Sequence, residues 1–268
     1  MLRRSSPLLV LGMIAVVASC DNLAGLSNAN GTPVSVVLMN ARTRGTGYTT
    51  YPKVNFYSVG SAQFSFSTVV SDTCVAAPYD TTAVPANNAT VIGAGAYMIA
   101  AVSGDTDSLY KATTSDGTYH PASTVGMAFN PGDSVWFNIA GDKAGFPPLQ
   151  AMGRTAEPYV IQRPNIPPVG QPMIVQWTPA TDNNAAMYLT LLYASGNSTT
   201  LNTQIFCDFH DDGQGTVQAY LLTALASSPI PFVMKAQRVR TNLLITSTSP
   251  VGYMNIISTF DFPTPVSP

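Results

Sequence analysis

Apolar and polar residues alternate along most of the chain with the two-residue period of a half-buried β-strand, not the 3.6-residue period of a helix. Val34, Val36 and Leu38 alternate with Ser35, Val37 and Met39, and Phe64, Phe66, Thr68 and Val70 with Ser65, Ser67 and Val69. Val135, Phe137 and Ile139 alternate with Ser134, Trp136 and Asn138, directly after the turn Asn130-Pro131-Gly132-Asp133. Further on, Met173, Val175 and Trp177 share a face, as do Met187, Leu189, Leu191 and Tyr193. Ile205, Cys207 and Phe209 run into His210-Asp211-Asp212-Gly213, whose Asp-Gly pair predicts a hairpin turn from which Val217, Ala219 and Leu221 return. Residues 220–226 (YLLTALA) have a second reading as one short helix, and residues 232–239 and 253–260 complete the strands. The continuous apolar run at 96–102 (AYMIAAV) predicts a strand buried on both faces.

Short strands at close spacing, punctuated by Gly, Pro, Asn and Asp, predict an all-β protein of one or two antiparallel immunoglobulin-like β-sandwiches. Trp177, at a strand end, reads as a core anchor. The Pro-dense stretch 161–172 (IQRPNIPPVGQP) is the candidate boundary. It divides an N-terminal β-sandwich-like region, 33–163, from a C-terminal immunoglobulin-like sandwich, 164–268, although the two halves have room to share strands.

Composition sharpens this picture. Only 10% of the residues are charged and Glu157 is the single glutamate, so good helix formers are scarce. The formal charge is −2, and no basic run exists that would neutralise several phosphates, which excludes nucleic acid as a partner. At the N-terminus, Arg3 and Arg4 precede the apolar run 8–18 (LLVLGMIAVVA). That run is too short to cross a bilayer, which needs about 20 apolar residues, but it suits the core of an export signal. It ends in Val17-Ala18-Ser19-Cys20, which resembles the lipobox of bacterial lipoproteins. The resemblance implies a signal peptide at 1–19, cleavage before Cys20, and acylation of Cys20 with chains such as palmitate. A flexible tether follows at 20–32, so the expected location is exported and lipid-anchored to a bacterial membrane. Cys74 and Cys207 are then left in an oxidising compartment and form a candidate disulfide.

A second resemblance rests on Trp177-Thr178-Pro179 (W-x-P) and on Cys207 to Gly213 (C-x-x-x-D-D-G), with Pro131-Gly132-Asp133-Ser134-Val135 upstream. The combination is similar to a diffuse group of uncharacterised secreted lipoproteins of environmental Gram-negative bacteria. The likeness spans roughly residues 93–260 and implies a β fold and an envelope location without an assigned activity.

Few residues point to chemistry. Asp208, Asp211 and Asp212 with His210 form the densest polar cluster, and carboxylates around Gly213 have the donor type for Ca²⁺. The regular D-x-D-x-D-G spacing is missing, so a polar turn is the plainer reading. No G-x-S-x-G elbow or H-E-x-x-H motif is present, and neither His120 nor His210 sits in a telling context. Tyr48, Tyr51 and Tyr57 cluster in a Gly/Thr-rich segment and are candidates for a ligand platform, because aromatic faces stack on sugars. The expectation is a membrane-anchored binding or structural module of the cell envelope, contacting an envelope protein or glycan and using no cofactor. The alternative is a glycan-directed envelope hydrolase working through loop carboxylates.

Overall fold

The computed structural model describes residues 32–44, 47–59, 70–79, 90–112, 117–162, 164–181, 185–245 and 253–261. Cys20 with its expected leader, the expected tether up to residue 31, and residues 64–69 of one expected strand lie outside them. The protein is all-β apart from one helix among the described residues. The first strands are β1 (Thr32–Arg44), β2 (Gly47–Thr50), β3 (Lys53–Val59), β4 (Thr73–Pro78) and β5 (Thr90–Val91). They are followed by β6 (Tyr97–Val102), β7 (Asp105–Lys111), β8 (Tyr119–Pro121), β9 (Met127–Phe129), β10 (Ser134–Ile139) and β11 (Leu149–Arg154). Next come β12 (Ile161–Gln162), β13 (Met173–Trp177), β14 (Ala185–Tyr193), β15 (Thr203–His210) and β16 (Gln214–Val217). The chain ends with helix α1 (Ala219–Ala226), β17 (Val233–Ile245) and β18 (Tyr253–Asp261). The large sheet runs in the order β11-β10-β6-β7-β8-β3-β1-β18-β17-β14-β15-β4, and a small sheet in the order β12-β13-β16.

The alternation expected for β10 and β13 is present, with every second residue buried. On β6 only one face is buried: Met98, Ala100 and Val102 point inward, while Ile99 and Ala101 are half-buried and Tyr97 is exposed. This corrects the two-sided burial inferred from its apolar run. The outward neighbours Trp136 and Tyr110 are themselves about half exposed, so the outer surface of the sheet is open to solvent there.

The N-terminal part of the large sheet rolls around its own core. Strand β11, at one end of the path, packs back against β17 and β18 in its middle. Gly153 permits that approach, because a Cβ there would stand 3.1 Å from Asn242 Nδ2 and 3.2 Å from Ile256 Cδ1. Inside the roll, Phe56, Phe137 and Phe146 are fully buried with Met39, Met98 and Ile256. Burial of each such ring contributes roughly 1.5–3 kcal/mol.

Two pairings join distant parts of the chain. β1 and β18 pair in parallel from Val34↔Tyr253 to Ala41↔Phe260, which is possible because nearly the whole fold separates them as a crossover. Moreover, β4 from the first half of the chain pairs with β15, while β18 from the second half joins the rolled sheet. Strands from either side of residue 163 therefore interleave, and Ala41 and Tyr48 touch both hydrophobic cores.

The second core lies between two layers. Met187, Leu189, Leu191, Ile205, Cys207 and Phe209 of β14 and β15 face Met173, Val175, Trp177 and Val217 of β13 and β16. The disulfide Cys74–Cys207 joins directly opposed residues of β4 and β15. Helix α1 adds Leu221, Leu222 and Leu225 to this core, realising the helical reading of that segment. The Asp-Gly turn after β15 does not close a hairpin. β16 leaves the large sheet and pairs with β13 in the other layer, and Ala219 and Leu221 belong to the helix. The reason is local: Gly213 adopts φ +105°, its carbonyl accepts the Trp177 backbone N–H at 2.9 Å, and Asp211 turns inward. The chain is thereby carried across the sandwich.

Candidate functional site

An open cleft of about 570 Å³ lies on the outer surface of β1, β3 and β8. Its floor follows from the strand register. Leu38 opposes Lys53 across β1 and β3, and the pairing of Val54 with Tyr119 sets His120 beside Lys53. Val37, Val54 and Tyr119 point into the core, so Leu38, Lys53 and His120 point outward by the two-residue period. Asn40 and Arg42 extend the same face along β1 and also line the cleft. The far wall is built by Tyr51, whose hydroxyl donates to the carbonyls of Thr124 at 3.1 Å and Val125 at 3.0 Å. Gly126 lets that loop fold over the ring, since a Cβ would come 2.8 Å from Tyr51 Cζ.

The electrostatics of the cleft are one-sided. Arg42 holds its guanidinium 5.8 Å from the centre of the Tyr51 ring, a cation–π contact. Lys53 is exposed, and among the described residues the lining contains no carboxylate. His120 Nδ1 lies 3.1 Å from the Pro121 carbonyl. Assigning the proton to that contact leaves Nε2 as an acceptor for a ligand hydroxyl. Asn40 Oδ1 accepts the Thr259 hydroxyl at 2.6 Å, which helps fix the orientation of the amide. Such a set is suited to holding an anionic, hydroxyl-rich molecule.

The residues singled out in the sequence are dispersed. Tyr51 lines the cleft, but Tyr48 is half-buried, packing edge-on against Phe260 at 5.5 Å, and Tyr57 sits on β3 opposite Val34 and Val91. The three tyrosines form no common platform. Asp208, Asp211 and Asp212 also separate. Asp208 accepts the Ser71 hydroxyl at 2.6 Å on the outer face, and Asp212 accepts the Gln214 N–H at 3.2 Å. Among the described residues no group of three or more His, Cys, Asp or Glu side chains converges as a metal site. His210 pairs with Asp72 at 2.6 Å and also gives it a backbone N–H at 2.7 Å. Partial burial works to raise the Asp72 pKa, but these contacts outweigh it and hold the carboxyl below its ordinary range.

Asp211 belongs to a buried clasp that the sequence did not reveal. Arg238, 1% exposed, grips it with two N–H donors at 2.6 and 3.0 Å. Trp177 Nε1 donates to the same carboxylate at 2.7 Å, and the Ala180 N–H at 3.2 Å. The guanidinium also donates to the carbonyls of Pro158, at 3.0 Å, and Thr178, and lies 5.3 Å from the centre of the Tyr159 ring. Arg240 donates to Glu157 at 2.9 Å, and Glu157 receives the Thr181 N–H at 2.9 Å. With its donors and acceptors so engaged, the clasp has the character of a fastening. It ties the crossover after β15 and the chain before β12 to β17. The only sequence sign of it is Arg238-x-Arg240, two charges at the spacing of one strand face.

Comparisons with protein-family models, with curated proteins and with solved structures returned no match, so the reading of the site rests on its own geometry.

Proposed function

We propose that the chain is an exported, lipid-anchored binding module of the bacterial envelope, with the cleft at Arg42, Lys53 and His120 as its ligand seat. The observation that carries the reading is the cleft itself: a solvent-open cavity that gathers cationic side chains in a chain of net charge −2. An exported location is supported by the lipobox-like ending at Cys20 and by the Cys74–Cys207 disulfide, since such bonds persist in oxidising compartments. Among the described residues no helix is long and apolar enough to cross a membrane, and the attachment proposed here is through acyl chains on Cys20. A binding role is supported by what the lining does offer, the cations Arg42 and Lys53 beside Tyr51 and His120. The two-layer second half, with Trp177 in the smaller sheet, supports an immunoglobulin-like sandwich, although its disulfide links neighbouring strands of one layer.

Two measurements test the reading. Mass spectrometry of the membrane-extracted chain is expected to find it starting at a lipid-modified Cys20, and an unmodified start removes the anchor. Purified chain is expected to retain oligosaccharides from a digest of the producing cell's envelope. Ser123→Trp, which fills the cleft, should abolish that retention, and equal retention by this variant overturns the ligand seat.

A further inference from the structure

We infer that the cleft is one end of a track for a linear, carboxylate-bearing polysaccharide, an identification that rests on the binding reading above and names its ligand class. The track is drawn by strand register. Tyr97 on β6 opposes Tyr110 on β7, Tyr110 opposes His120 on β8, and Lys53 on β3 lies beside His120. Four neighbouring strands thus contribute one outward residue each, and Leu38 on β1 supplies a fifth. At about 4.8 Å per strand the row extends roughly 19 Å. The step between strands is close to the length of one sugar ring, so successive side chains meet successive rings of an extended chain.

The chemistry changes along the row in the order such a ligand needs. Tyr97 and Tyr110 are each 48% exposed, with ring centroids 6.1 Å apart and planes inclined by 37°. Exposed phenol faces stack on the apolar faces of pyranose rings. His120 presents a hydrogen-bonding edge, and Lys53 with Arg42 meets carboxylates, the guanidinium by a two-pronged fork. A polypeptide polyanion lacks the rings for the tyrosines, and a neutral glycan lacks the charge for the cations. Only a ligand with both uses the whole row.

The test is binding of the full chain to polygalacturonate, measured by calorimetry at low salt beside neutral dextran and poly-glutamate. Polygalacturonate is expected to bind, and to bind more weakly at high salt through screening. Dextran and poly-glutamate should each bind at least about tenfold more weakly, the loss of one strong contact class. Lys53→Ala and Tyr110→Ala are both exposed changes, and each should weaken polygalacturonate about tenfold while the melting temperature stays put. Equal affinity for poly-glutamate overturns the glycan, equal affinity for dextran overturns the carboxylate, and an unaffected Tyr110→Ala overturns the track. If polygalacturonate fails while envelope oligosaccharides are still retained through the cleft, this inference falls and the binding module stands.

Discussion

Replacing Arg238 by Met tests whether the clasp holds the sandwich together. Arg238 and Asp211 each expose only 1% of their side chains, and the guanidinium makes two bonds to the carboxylate and others to backbone carbonyls. Removing it leaves a buried carboxylate served only by the Trp177 and Ala180 N–H groups. Breaking a buried pair from one side costs about 3–5 kcal/mol. For a urea dependence of about 3 kcal/mol per molar, the unfolding midpoint falls by roughly 1–1.7 M. Adding Asp211→Leu to Arg238→Met removes the stranded charge. The backbone carbonyls that Arg238 served are already stranded in the single variant. The second change therefore adds one lost acceptor, that of the Trp177 N–H, at about 1–3 kcal/mol, and removes the larger penalty of the unpaired buried carboxylate. The double variant should therefore be more stable than Arg238→Met alone, reversing the sign that additive losses would give. Urea titrations followed by tryptophan fluorescence are well placed to read this, because Trp177 is buried at the clasp and Trp136 is half exposed. The reasoning is refuted if Arg238→Met costs under about 1 kcal/mol, as an exposed ion pair would, or if Asp211→Leu deepens its loss.

Three further outcomes are expected. Replacing Cys74 and Cys207 together by Ala opens a link between residues 133 apart. In the chain-entropy view this costs about 5 kcal/mol, and a double variant with an unchanged urea midpoint would contradict it. Gly215→Ala places a Cβ 2.6 Å from two ring carbons of buried Phe209, which stacks on Trp177. Overpacking of this kind costs about 1–3 kcal/mol, so a wild-type melting temperature would show that the two layers are not so closely apposed. Partial burial works to raise the Glu157 carboxyl, but the Thr181 N–H and the charges of Arg240 and Arg238 outweigh it and hold its pKa below the ordinary 4.5. Its contribution is thus complete above that value and fades as pH falls through the lower folded-state pKa. Glu157→Gln should flatten the acid limb of the stability–pH curve, and an identical slope in both proteins would dissociate Glu157 from acid unfolding.

Local chemistry was legible wherever period and burial coincide. The alternation around Val135, Phe137 and Ile139 marked a strand with one wet face, and Met173, Val175 and Trp177 were recognisable as an inward face with Trp177 as its anchor. The split of Asp208 and His210 from Phe209 and Asp211 also follows from the two-residue period, and Asp211 is indeed buried while His210 is exposed. What period cannot carry is the partner of each strand. The Asp-Gly turn looks the same whether its second arm returns to the same sheet or crosses to another. Here Gly213, the Trp177 contact and the clasp on Asp211 send it across.

The period-two elements, the positions of the turns and the cysteines available for bridging were readable along the chain, because each depends on neighbours within a few residues or on composition. That β1 lies parallel to β18, that β4 reaches the second core and that Arg238 meets Asp211 emerged from the folded arrangement. It likewise brought Arg42, Lys53 and His120 to one cleft from three separate strands and turns. The physical reason is that pairing between distant strands is set by which edges and faces remain to be covered once the whole chain has collapsed. That condition is a property of the assembled sheet and is written in no single stretch of residues.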